Sequence, residues 1–183
     1  MSEREGEASP FRIAEETVGF AGSRISVARV AVEGPGGDRH EREIVHHPGA
    51  VAMIPLHPDG TVTLVRQYRA ALDTEMWEIP AGLRDVEGEP TEQTAERELI
   101  EEAGLRPGRL EHLVTFHNSP GFSDESVVVY VATDLTEVPD DRQSVEEQHM
   151  LIVRVPLDDA RAMVRDGRIT DAKTVIALLA LDR

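Results

Sequence analysis

The sequence contains no cysteine, which excludes disulfides, a thiol nucleophile and a thiolate zinc site, and suits a reducing compartment. It is also poor in positive charge. Lys and Arg total 19 against 35 Asp and Glu, a formal charge of -16, and Lys173 is the one lysine. So acidic a chain lacks the basic stripe that neutralises nucleic-acid phosphates or an anionic membrane surface. A negatively charged substrate would have to be met by metal ions or by local arginines. No run approaches the roughly 20 apolar residues of a membrane span. The opening Met1-Ser2-Glu3-Arg4-Glu5-Gly6-Glu7 is acidic where a signal peptide is basic and then apolar, so a cytoplasmic protein is expected. Internal repeats and low-complexity segments are lacking too. What the chain does have is 183 residues with 40% hydrophobic content, enough for one main folding unit with a real core.

Residues Met1 to Pro10 are polar and aperiodic and read as a loose tail. From Phe11 to His47 come three runs of strand character, FRIAEETVGF, SRISVARVAV and RHEREIVHH, the last two separated by the turn-forming Glu33-Gly34-Pro35-Gly36-Gly37-Asp38. Three strands bury too little surface to stand alone, so this small antiparallel sheet must pack on the rest of the chain or on a second copy. Pro48-Gly49 marks the junction to a main domain over residues 48–183. There AVAMIPL and TVTLVRQYR flank the turn His57-Pro58-Asp59-Gly60, and EMWEIPAG, with the only tryptophan, Trp77, ends at Gly82. A helix starts at Pro90-Thr91 and stops at Gly104. RLEHLVTFH, SVVVYVAT and MLIVRV follow as strands, then amphipathic helical runs over 157–164 and 171–181. The pattern implies an α+β or α/β/α arrangement.

The chemistry concentrates in EIPAGLRDVEGEPTEQTAERELIEEAGL, Glu78 to Leu105. Glu98, Glu101 and Glu102 stand at i, i+3 and i+4, so they share a helix face within reach of one cation cluster. By themselves they would equally describe a solvated acidic face. Gly82 permits a sharp turn whose neighbouring carbonyl, that of Ala81, can point at the same ion, and oxygen donors are what Mg²⁺ or Mn²⁺ prefer. Arg97 can brace the turn by pairing with a carboxylate. Elsewhere, His46-His47 and His112 with His117 lack zinc spacing, and Gly121-Phe122-Ser123-Asp124-Glu125 lacks the second glycine of a serine nucleophile elbow. The preference for arginine over lysine reads as genomic composition.

This stretch resembles the Nudix box: glycine, five residues, glutamate, seven residues, then Arg-Glu-apolar-x-Glu-Glu-x-Gly-apolar. Glu89, seven residues, and Arg97 through Leu105 fit it throughout, while six residues rather than five separate Gly82 from Glu89. Pro120 in NSPGFSDE, QYR before the box, EIPAGL entering it and the ending GRITDAKTVIALLA resemble the ADP-ribose pyrophosphatase subfamily. The likeness runs from Pro48 to the C-terminus. It implies a Nudix fold, a mixed β-sheet in an α/β/α sandwich, here preceded by the small N-terminal sheet. It further implies Mg²⁺- or Mn²⁺-dependent hydrolysis of ADP-ribose to AMP and ribose 5-phosphate, with Glu98 and Glu102 as main metal ligands and the Ala81 carbonyl and Glu101 assisting. Glu146, or Glu147 beside it, would be the general base that takes the proton from the attacking water. Arg69, Leu83 and Pro120 would contact substrate. A homodimer that exchanges its N-terminal sheets would bring Arg42 and Glu43 to the shared site. The alternatives are a pyrophosphatase for another nucleotide sugar, such as GDP-mannose or ADP-glucose, and a non-catalytic ligand sensor.

Overall fold

The computed structural model describes residues 9–139 and 149–181, and these fall into two compact units. The first comprises residues 9–48 and Ser119–Glu125. Strands β1 (Arg12–Ala21), β2 (Ser26–Glu33) and β3 (Arg39–His46) form an antiparallel sheet in that order. The turn between β2 and β3 closes through Gly34 N–H to the Asp38 carbonyl at 2.9 Å, and Gly37 takes a positive φ of 80°. Ala28 and Val30 of β2 are buried, whereas Phe11, Ile13, Val18 and Phe20, in and beside β1, are each more than half exposed. The segment Ser119–Glu125 joins this sheet alongside β3: the Val45 amide donates to the Phe122 carbonyl at 2.7 Å, and Asp124 accepts from the His47 amide at 2.9 Å. His46 lies between Asp124, at 2.6 Å, and Glu16, at 3.2 Å. The Asp124 hydrogen bond raises the imidazole pKa above its ordinary value, and burial offsets part of the rise.

The second unit holds the other described residues. β4 (Ala50–Pro55) is buried along its whole length, because both faces of its sheet are covered. That is why its sequence is a continuous apolar run rather than an alternation. Ala50, Ala52 and Ile54 face one core, Val51 and Met53 the other. β5 (Thr61–Arg69) and β6 (Thr74–Glu78) belong to a separate antiparallel sheet with β12 (Leu151–Pro156), in the order β12-β5-β6. β7 (Ala81–Leu83), β9 (Arg109–His117) and β10 (Ser126–Thr133) join β4 in the order β7-β4-β10-β9. The β4–β10 pair is parallel and the others antiparallel, so this sheet is mixed. A two-residue pair, β8 (Leu105–Arg106) with β11 (Thr136–Glu137), completes the strands.

Helix α1 (Thr91–Ala103) covers one face of the mixed sheet through Ala95 and Leu99. Helices α2 (Leu157–Arg165) and α3 (Ala172–Ala180) close the core on the other face with Met163, Ala177 and Leu178. The result is an α+β fold, a mixed sheet between helices with a small antiparallel sheet before it. α1 ends where Gly104 adopts the left-handed conformation at φ 63° and returns its amide to the Ile100 carbonyl at 3.0 Å. One feature of EMWEIPAG matters for the site: within it the chain leaves one sheet after Glu78 and enters the other at Ala81, crossing between them at Ile79-Pro80. Pro80 has no amide hydrogen to lend to either ladder.

Candidate active site

α1 and β7 meet at the crossing. Ala81 pairs with Ala52 in the antiparallel β4–β7 ladder, and the flanking Met53 amide donates to the Pro80 carbonyl at 2.9 Å. Hydrogen-bonded and non-hydrogen-bonded pairs alternate along such a ladder, so Ala81 falls in a non-bonded pair, and its amide and carbonyl both point away from β4. The amide finds Glu102, whose Oε2 accepts it at 2.9 Å. Glu102 is only 7% exposed, in line with Ala95 and Leu99 on the packed stripe of α1 rather than on a solvated face. One turn earlier, Glu98 lies directly against Gly82. A Cβ on that glycine would sit 1.9 Å from Glu98 Cδ and 2.1 Å from Oε2. The glycine is thus required by close approach.

Arg97 organises the acidic side chains around this pair. Its guanidinium donates to Glu98 Oε1 at 2.7 Å, to Glu101 Oε2 at 3.3 Å and to Glu89 Oε2 at 3.4 Å, with Asp85 at 3.6 Å. Thr94 Oγ1 donates to the same Glu89 oxygen at 2.8 Å and is the main cause of its lowered pKa. Burial pushes the Glu98 carboxyl up to about 7, with Glu101 adding to the rise and Arg97 offsetting part of it. Burial likewise pushes Glu102 up to about 8, with the Ala81 amide opposing and Glu98 adding.

A second buried carboxylate has the opposite fate. Glu78, 1% exposed, accepts from Arg69 Nε and Nη2 at 2.7 and 2.6 Å and is also paired with Lys173. Burial alone would raise its pKa, but the Arg69 hydrogen bonds and the Lys173 charge bring it below the ordinary value. Lys173 Nζ also donates to Asp171 at 2.9 Å. Asp171 caps α3, accepting the Thr174 amide at 2.9 Å and its hydroxyl at 2.6 Å.

Among the described residues, no three His, Asp or Glu side chains converge in ligand geometry. The site offers the part-buried Glu98 and the buried Glu102 beside an outward-pointing Ala81 carbonyl, and Arg97 engages Glu98 as well as Glu101. The oxygen-only donors and the strain of ionising two neighbouring acids withdrawn from solvent both fit a hard divalent cation. Arg69 and Leu83 lie in the same unit, Arg69 on Glu78 and Leu83 opposite Ala50. Pro120, Arg42 and Glu43 are exposed in the first unit, and Glu146 and Glu147 lie outside the described residues. Sequence reasoning passed over Glu78, Asp171, Lys173 and Thr174. The solitary lysine two residues after a capping aspartate was the available signal.

The NUDIX domain matches residues 45–178. The chain is 41% identical over 169 residues to the ADP-ribose pyrophosphatase of Mycobacterium tuberculosis, covering 92% of this chain and 81% of that protein. It is 39% identical over 166 residues to the ADP-ribose pyrophosphatase of Bacillus subtilis, covering 91% and 89%. The fold superimposes on the crystal structure of an ADP compounds hydrolase with a TM-score of 0.82, at 24% identity and over 96% of this chain and 94% of that one.

Two outcomes follow from this geometry. Gly82→Ala should displace Glu98 from β7 and weaken Mn²⁺ binding at least about tenfold, as titration calorimetry would report; unchanged affinity would contradict the close approach. The raised pKa values of Glu98 and Glu102 mean that the folded chain holds protons that the unfolded chain releases near the ordinary 4.5. Metal-free stability should therefore fall as pH rises from about 4.5 through about 8. Thermal melts in chelator should show this decline, and Glu102→Gln should flatten it; a level or rising wild-type profile would refute the assignment.

Proposed function

The chain belongs to the NUDIX family, and we propose that it is a divalent-cation-dependent pyrophosphatase that hydrolyses ADP-ribose to AMP and ribose 5-phosphate. The observation that carries the chemistry is the seating of two helix carboxylates, Glu98 and Glu102, against Gly82 and Ala81. The choice of substrate is supported by the similarity to the two ADP-ribose pyrophosphatases, which spans nearly the whole chain. Divalent cations serve the family in general, and Mg²⁺, replaceable by Mn²⁺, is the ion proposed.

In this reading Glu98, Glu102 and the Ala81 carbonyl hold the cation, with Glu101 assisting from its place beside Arg97. A bound divalent cation supplies positive charge to the diphosphate oxygens and makes nearby water more acidic. Arg69, fixed in direction by both oxygens of Glu78, presents the rest of its guanidinium to a phosphate. Leu83 and Pro120 contact substrate. Glu146, or Glu147, accepts one proton from water as its oxygen attacks one phosphorus and the bridging P–O bond breaks. The exposed apolar side chains of β1, Ile13, Val18 and Phe20, support a homodimer through the N-terminal sheet, with Arg42 and Glu43 completing the partner's site.

With Mg²⁺ and a panel of ADP-ribose, ADP-glucose, GDP-mannose and NADH, AMP should be released fastest from ADP-ribose and not at all in chelator. Glu98→Gln and Glu102→Gln should each lower kcat roughly a hundredfold or more. Faster turnover of GDP-mannose would reassign the substrate, and silence on the whole panel would sink the enzymatic reading. Light scattering should give twice the chain mass, and Phe20→Glu should reduce it; a monomeric wild type at every concentration would remove the dimer.

A further inference from the structure

The motif Asp171-Ala172-Lys173-Thr174 has a place in the fold that the ligands themselves do not explain. We propose that Thr174 is a positioning residue for the cation site, its hydroxyl setting the path of Ile79-Pro80-Ala81 so that the Ala81 carbonyl stands beside Glu98 and Glu102. The inference rests on the reading of those three groups as cation ligands.

The argument begins with the crossing. Ile79 is fully buried and lies between the last residue of β6 and the first of β7. Its amide hydrogen belongs to neither ladder, and a buried amide must be paired. The partner is Thr174 Oγ1 at 2.9 Å, supplied by a residue 95 positions away in sequence. Thr174 is itself fully buried, and its single hydroxyl hydrogen is committed to Asp171 Oδ2 at 2.6 Å. Only its lone pairs face Ile79, so the polarity of the contact is fixed.

The next positions are held by other means. Pro80 contributes only a carbonyl, taken by the Met53 amide, and the Ala81 amide is taken by Glu102. The chain from Ile79 to Ala81 thus has one anchor each from β4, α1 and α3. The α1 and α3 anchors are side chains reaching in from helices outside the two sheets, and the α3 one alone is a hydroxyl. Lys173, adjacent to Thr174, grips Glu78, adjacent to Ile79, so two consecutive residues of α3 hold the last residue of β6 and the first of the crossing. Valine at position 174 would keep the shape and leave the Ile79 amide without an acceptor. The crossing would then move to find one, carrying the Ala81 carbonyl with it. Serine would keep the hydroxyl and the anchor.

Mn²⁺ binding without substrate, followed by electron paramagnetic resonance, separates this role from general stability. T174V should weaken Mn²⁺ binding about tenfold, the range seen when a group that orients a ligand is lost. T174S should stay near wild type. L178A, a cavity one turn further along the same helix that removes no hydrogen bond from the Ile79 amide, should lose stability but keep its Mn²⁺ affinity. Should T174V fail to fold, T174A, which leaves room for water at the Ile79 amide, should bind more weakly than T174S. Wild-type affinity in T174V, or an equal loss in L178A, would overturn the positioning role while leaving the cation site intact. Failure of the wild type to bind Mn²⁺, or full binding in Glu102→Gln, would overturn the cation site as well.

Discussion

The rest of the site depends on a missing atom, the Cβ at Gly82. Because that position is bare, α1 packs against β7 closely enough for Glu98 to rest on the strand backbone and for Glu102 to reach the Ala81 amide. Any side chain at residue 82 would compete for the volume that the Glu98 carboxylate fills. The stripe of α1 that makes this approach is mostly ordinary packing surface, with Ala95 and Leu99 in a core against β4 and β10. The acidic pair is therefore held by the hydrophobic contact rather than in spite of it. Desolvating one such carboxylate is costly, and desolvating two neighbours more so.

Three carboxylates withdrawn wholly or partly from solvent, Glu78, Glu98 and Glu102, gather around the same crossing, and their surroundings divide them. Glu78 is matched by Arg69 and Lys173 and remains ionised. Glu98 has Arg97 on one oxygen and Glu102 has the Ala81 amide, too little to offset burial, and both are pushed toward the protonated form. One carboxylate thus serves as a finished internal joint, while the other two form a place where positive charge is wanted. A lysine paired with Glu102 as Lys173 is with Glu78 would have made that carboxylate easier to ionise and the site less open to a cation.

Much of this was legible in the sequence because it is written in local spacing. The α1 helix, its glycine stop and the shared face of Glu98 and Glu102 follow from neighbours in the chain, and the seven-residue interval from Glu89 to Arg97 carried the family resemblance. The doubly covered strand was legible as the apolar run at Ala50–Pro55. What local pattern could not supply is partner identity across long separations. Nothing within EMWEIPAG announces that its two ends pair with different strands, β5 and β4. Lys173 looked like a compositional leftover because its meaning lies in Glu78, far upstream. Glu101 shares a turn with Glu98 and Glu102, yet the side-chain direction that gives it to Arg97 depends on where the loop bearing Glu89 and Asp85 runs.

The first unit is assembled from two stretches of chain far apart in order, residues 9–48 and Ser119–Glu125, joined where the Val45 and His47 amides meet Phe122 and Asp124. During synthesis the three N-terminal strands leave the ribosome long before the segment that lies beside β3. Until residue 125 has been made, the Val45–His47 end of the third strand lacks this neighbour, and by then β4 through β9 have already been synthesised. Maturation of the N-terminal sheet is thus tied to progress through the next unit, and the nascent chain carries an open strand edge and exposed apolar side chains for much of its elongation.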